Sequence, residues 1–337
     1  MKTRLTLAAA LALTTALPAV PALAEVNVYS YRQRELIQPL VDAFTAETGI
    51  EVNIAFLNKG LTERLLAEGK RTPADVILTA DIQHLTDAVA AGVTQAIASD
   101  VLDAQVPAAF RDTAGHWFGL TSRARIVYAS KQRVAEGEVT TYEDLADPKW
   151  QGRICTRSGM HAYNTTLTAA MLAHHGPETT KSWLDGLKAN LAQKPQGNDR
   201  AQVKSIWAGE CDISLGNTYY MGKMLEDEEQ RAWADAVRIA FPVFEGGGTH
   251  VNISGVAMTA HAKNADDALA FMEYLTSPAA QGIYAAANYE YPVSPEVAAS
   301  QVVASWGSFT PDTLSLPTLA SERGAALKLT QEVDFDG

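Results

Sequence analysis

The chain has 337 residues, 47% of them hydrophobic, with 39 acidic against 27 basic side chains and a formal charge of −12. So acidic a balance argues against nucleic acid or an anionic membrane surface as a partner. The length exceeds one comfortable core and predicts two lobes.

Residues 1–24 carry Lys2 and Arg4, then an apolar alanine and leucine run closing on Ala22-Leu23-Ala24. That order predicts a cleaved secretory signal peptide and a periplasmic product; the run is short and no stop-transfer pattern follows, so it is not read as a membrane anchor. Val26 to Ser30 then reads as a short alternating strand. A helix is expected from about Glu35 to Gly49, with Leu36, Ile37, Leu40, Val41 and Phe44 on one face and Pro39 in its first turn. Ile50 to Ile54 is a second strand, Leu61 to Glu68 a polar helix, and Val76 to Leu78 a buried strand ending on Thr79 and Asp81. Asp81 caps a helix from Ile82 to Ala91 that Gly92 closes. Strands alternating with helices predict an α/β unit with a largely parallel sheet, whose ligand crevice lies at the carboxyl ends of the strands. By that rule Ser30 to Arg34, Asn58 to Gly60 and Thr79 to Asp81 face one crevice.

A second block opens with WFGLTSRARIVYAS, read as two strand-like runs joined through Thr121 to Arg125. A small helix, a turn at Asp147-Pro148 and a strand into Cys155 follow, then a loop feeding a helix with Tyr163 near its start. A further helix ends at Gly209, and CDISLGN is a strand whose carboxyl end delivers Tyr219 and Tyr220. Gly246 to Gly248 form a turn before an alternating strand, Val251 to Met258, and an amphipathic helix. A chain that returns after a second α/β block predicts two lobes crossed more than once, able to hinge over a ligand. The expected N-lobe is 25–121 plus about 247–300, and the C-lobe about 122–246 plus 301–337.

The chemistry concentrates in tyrosines. Adjacent residues on a regular strand point to opposite faces, but at a strand-to-helix turn Tyr219 and Tyr220 are free to converge. With Tyr163 they set three phenols above one sheet. Phenol has a pKa near 10, so apposed phenolates require a strong local cation, and a hard trivalent metal such as ferric iron suits them. Packing is the bland alternative for each. Tyr31, Arg32, Gln33 and Arg34 occupy the first crevice loop, and Arg123 and Arg125 stand at the lobe junction; arginine forks suit a carboxylate or carbonate. His161 lies near the proposed site, whereas His174-His175 read as a solvated helix end. Cys155 and Cys211, an even pair in an exported chain, point to a disulfide, with two buried free thiols as the alternative; without CxxC they give no zinc site. No GxSxG, HExxH, P-loop or GxGxxG occurs, so no enzyme is expected.

VYSYRQ, PADVILTAD, YEDLADPKWQGRI, Tyr163-Asn164 and LGNTYYMGKM together resemble the periplasmic ferric-iron-binding proteins that serve ABC importers, over essentially the whole mature chain. The resemblance implies the two-lobed type 2 periplasmic binding protein fold, each lobe a mixed sheet flanked by helices. It implies a monomer that captures Fe3+ between its lobes and delivers it to an inner-membrane ABC permease. Carried over, the metal ligands are Tyr163, Tyr219 and Tyr220. A synergistic anion such as carbonate, or water, would complete the site with Arg32, Gln33 and Arg123; Tyr31, Arg34 and His161 are further candidates. Some family members place a histidine or tyrosine ligand where Gln33 and Arg34 stand here, so this chain departs from that pattern. The resemblance also implies a Cys155–Cys211 bridge between the strands that carry the tyrosines. The competing readings are a protein of the same fold for an oxyanion or small organic anion, and an exported enzyme with a tyrosine base.

Overall fold

The structure, a computed structural model, describes residues 24–337; the expected signal peptide lies outside the described residues but for Ala24. Among the described residues nine strands appear in chain order: β1 (Glu25–Ser30), β2 (Glu51–Phe56), β3 (Val76–Thr79), β4 (Phe118–Ser130), β5 (Ile154–Cys155), β6 (Ile213–Asn217), β7 (Val237–Ala240), β8 (Val251–Met258) and β9 (Tyr291–Pro292). Their order is β2-β1-β3-β8-β4-β6-β5, with β7 and β9 also paired to β4. β1 runs parallel to β2 and β3, and β5 parallel to β6, while β8 and β6 both run antiparallel to β4. The architecture is two-lobed α/β with a curled mixed sheet.

β4 is where the sequence reading needs correction. The two expected runs form one continuous 13-residue strand, buried throughout. Irregularity is confined to a register shift between Gly119 and Thr121. The stretch Thr121 to Arg125 stays in the strand, its Arg123 and Arg125 side chains finding the buried partners described below. β4 also changes partner within that stretch: Ala124 pairs with Val251 of β8, and Arg125 with Asn217 of β6. The Tyr142 hydroxyl fills the parting, donating to the Arg125 carbonyl at 2.5 Å and accepting from the His250 amide at 3.0 Å.

The first helix runs Arg34–Thr48 and stops at Gly49, whose φ of 74° is the left-handed cap that glycine takes without a Cβ penalty. Starting one residue earlier than expected, it places Pro39 in its second turn, on the exposed side, where the carbonyl left without an amide partner faces water. Ile37, Leu40, Val41 and Phe44 are buried as expected, against Val26, Val28, Val76 and Phe271; Leu36 is only half-buried. Each such fully buried side chain contributes about 1.5–3 kcal/mol. In the other half of the sheet, Ile126, Tyr128, Ile206 and Met224 pack around Cys155 and Cys211, which are joined by a disulfide across 56 residues. No helix among the described residues is long and apolar enough to cross a membrane.

Candidate metal centre

The carboxyl ends of β1, β2 and β3 deliver their loops to one cleft of about 550 Å³. Tyr31, Gln33, Asn58, Lys59, Gly60 and Asp81 line it together with His161 and Tyr163. The three loops expected to share a crevice therefore do.

Tyr163 sits in the first turn of the helix Ala162–Ala189, capped by His161, whose Nδ1 accepts from the Tyr163 amide at 3.2 Å. The His161 ring meets the Tyr163 ring edge-on at 4.6 Å. Tyr219 and Tyr220 open the helix Tyr219–Glu226 directly after β6, Thr218 already being helical at φ −53°, ψ −46°. A helix turns about 100° per residue where a strand turns 180°, so the two rings lie on one side, 4.3 Å apart between centroids. The Tyr163 and Tyr219 hydroxyls are 3.1 Å apart, in hydrogen-bond contact. The structure thus brings the three phenols together.

Burial first, then the neighbouring Tyr163 and Tyr220, hold the Tyr219 phenol well above its ordinary value, with Arg123 pulling the other way. Tyr220 is raised by burial, Tyr163 and Asp199, against Arg157. His161 is pushed down to about 4 by burial and by Arg157 and Arg125, so it is neutral here and suited to accept the Tyr163 amide.

A layer of charge lies behind the phenols. Arg123 and Arg125, two apart on β4, share a face, and their guanidinium carbons stand 5.4 and 5.8 Å from the centre of the Tyr163 ring. Arg157 stands 5.2 Å from it. Arg123 pairs with Asp81 at 3.3 Å, and Arg125 with Asp199 at 2.8 Å. Arg125 also donates to Asn164 at 2.6 Å and Asn217 at 3.2 Å, while Arg157 reaches the second Asp199 oxygen at 3.0 Å. Burial opposes ionisation of Asp199, but Arg125 and Arg157 hold its carboxyl below the usual range. Three guanidiniums against two carboxylates leave one positive charge beneath the tyrosines, and buried Arg123 Nη1 has no partner.

The first crevice loop is arranged differently. Arg32 is buried in a two-pronged ion pair with Glu290, at 3.0 and 2.7 Å, and also donates to Ser254. Its guanidinium is therefore already partnered and not free for an anion as expected from sequence. The Tyr31 hydroxyl accepts from the Leu61 amide at 2.8 Å, and its ring meets His84 edge-on at 4.8 Å. Exposed Arg34 lies over the Phe56 ring at 4.5 Å and bonds Gln38 at 3.4 Å; it is not among the residues lining the cleft. Gln33 is exposed, its side chain uncommitted at the helix cap. His174 and His175, expected to be solvated, pair with Asp312 at 2.9 Å and Glu143 at 2.5 Å. Sequence reading missed Arg157, Asp199, Asn164 and Glu290. The spacing of Arg123 and Arg125 was the one local signal of the buried network.

A two-lobed α/β molecule with a cleft at its strand ends, and oxygen donors clustered beside it, is built as a solute-binding protein. The chain belongs to the family of bacterial extracellular solute-binding proteins, whose pattern matches residues 71–308. It is similar to iron uptake protein A1 of Synechocystis sp., 44% identical over 314 residues, which cover 92% of this chain and 87% of that protein. Its fold matches the apo ferric ion-binding protein A of Pasteurella haemolytica with a TM-score of 0.90 and 51% identity, covering 93% of this chain and 98% of that one. The Trichodesmium protein IdiA (FutA), in complex with iron and citrate, matches with a TM-score of 0.88 and 40% identity over 93% of this chain and 100% of that one.

Proposed function

We propose that this chain captures ferric iron between its two lobes in the periplasm and hands it to an inner-membrane ABC permease. The observation that carries the reading is the clustering of Tyr163, Tyr219 and Tyr220, the Tyr163 and Tyr219 hydroxyls being 3.1 Å apart and the Tyr219 and Tyr220 rings 4.3 Å apart. Similarity to proteins described as iron uptake and ferric ion-binding supports the choice of cargo.

In the empty protein Tyr219 and Tyr220 are held neutral, so Fe3+ must displace protons as it binds. Three phenolates balance the charge of one ferric ion. The extra guanidinium charge behind them, and the unpartnered Arg123 Nη1, favour an anion, carbonate or citrate, on the open side of the ion. Tyr31 and Arg34 of the first loop are engaged with the Leu61 amide and Gln38, so an anion or water is the better candidate for that side.

Closure follows if the loaded site binds the closed arrangement better than the open one. We place the lobe boundaries at 25–121 plus about 247–300, and about 122–246 plus 301–337, with the chain acting as a monomer. A pure anion-binding role is disfavoured by Arg32 being paired already with Glu290.

The test is an absorption titration with ferric iron. A visible ferric–phenolate band should appear at one equivalent and be lost or shifted in Tyr163→Phe and Tyr219→Phe. An unchanged band in both variants would place the iron elsewhere.

A further inference from the structure

Tyr289 and Gly222 each break a local rule, and they meet. Tyr289 caps the helix Pro278–Asn288 at φ 57°, ψ 28°, a left-handed conformation that favours glycine or asparagine. Among the described residues, Asp334 is the one other non-glycine with positive φ. Gly222 lies buried inside the helix Tyr219–Glu226, where glycine weakens a helix. A Cβ at Gly222 would fall 2.1 Å from Cγ of Tyr289, because the Tyr289 ring lies directly on the glycine backbone. The Tyr289 hydroxyl donates to Glu226 at 2.5 Å, and Lys223 stands 5.5 Å from its ring centre. Ring and hydroxyl thus grip the helix that begins with Tyr219 and Tyr220. Violations of local preference that a single contact explains are expected at functional sites.

The left-handed turn sends the next side chain elsewhere. Glu290 is 2% exposed and holds Arg32 of the first crevice loop by both carboxylate oxygens. Asn288, on the other flank, donates to the Leu36 carbonyl of the helix following that loop at 3.2 Å. Three consecutive residues therefore touch the helix of the tyrosine pair and the loop that faces the same cleft.

We propose that Tyr289 and Glu290 form a strap that links the tyrosine-pair helix of one lobe to the Arg32 loop of the other, and so sets the geometry in which the phenolates meet the ion. Both are positioning residues, and the inference rests on the iron-binding reading above.

Tyr289→Gly keeps the left-handed turn and removes the ring; Gly222→Ala keeps the ring and pushes it off the helix. Each is loaded with ferric iron and compared with the parent for the wavelength of the ferric–phenolate band and the rate of iron loss to a competing chelator. Both variants should shift the band and release iron faster, on the order of tenfold, as expected for residues that orient metal ligands. Tyr289→Phe, which retains the stacking, should stay closer to the parent than Tyr289→Gly. A folded Tyr289→Gly protein with the parental band and release rate overturns the proposal, even if it melts at a lower temperature. Should Gly222→Ala fail to fold, the Tyr289→Gly result decides. A parent without any band would instead refute the iron-binding reading itself.

Discussion

The two walls of the cleft are built on opposite plans. On one wall Tyr163, Tyr219 and Tyr220 gather at helix starts, the Tyr163 and Tyr219 hydroxyls in contact and the Tyr219 and Tyr220 rings side by side, above a largely buried layer of Arg123, Arg125, Arg157, Asp81 and Asp199. On the opposite wall Tyr31 spends its hydroxyl on the Leu61 amide, and behind it, away from the lining, Arg32 and Arg34 bind Glu290 and Gln38. The first wall is poised to bind and the second to shape. Placement explains the contrast: helix starts free the side chains from strand alternation, whereas the first loop is locked by the elements it joins.

The comparison can be broken most forcefully at the phenols. Tyr219→Phe should weaken ferric iron binding by more than about 1,000-fold (~4 kcal/mol), because loss of a direct ligand exceeds the 10–100-fold typical of orienting groups. Tyr31→Phe on the opposite wall should leave the affinity nearly unchanged; both are read by chelator competition. The charge layer comes next. Arg125→Met strands the fully buried Asp199 with Arg157 alone, and denaturant unfolding should register a loss of about 3–5 kcal/mol. Removing the Cys155–Cys211 bridge, which ties β5 to the start of β6 beneath the tyrosine wall, should cost about 2–4 kcal/mol by the same measurement.

Acid should act on the two walls unequally. Each phenol that loses a proton to iron makes affinity fall by about tenfold per pH unit on acidification. The empty protein also weakens in acid. His161 and His250 are depressed from 6.5 to about 4 and about 3, both chiefly by burial. The stability they contribute is full above about 6.5 and is lost as pH falls towards those values. Asp199 and Glu290, held low by arginines against their burial, act in the same direction. The smallest effect belongs to Arg34→Ala, which should change stability by less than about 0.5 kcal/mol and leave iron binding intact.

Much of this was legible in the chain because it is local. Hydrophobic periodicity marked the first helix, strand ends marked the three crevice loops, and the step from strand to helix marked Tyr219 and Tyr220 as able to converge. What stayed hidden depends on long-range pairing. Glu290 is 258 residues from Arg32 and Asp199 is 74 from Arg125, and neither has a neighbour in sequence that hints at its partner. The polarity of Thr121 to Arg125 suggests a break in β4, yet the stretch is buried, with Arg123 and Arg125 against carboxylates and amides that only the fold assembles. Nothing near Tyr289 in sequence signals its contact either: the left-handed backbone and the fold place its ring on Gly222.

The most direct measurement is a ferric iron titration of the parent, Tyr163→Phe and Tyr219→Phe proteins, following visible absorption with chelator competition. With the three tyrosines as ligands, the parent should bind one equivalent with a ferric–phenolate band, and both variants should lose or shift the band and bind much more weakly. Equal affinity and an identical band in all three would contradict it.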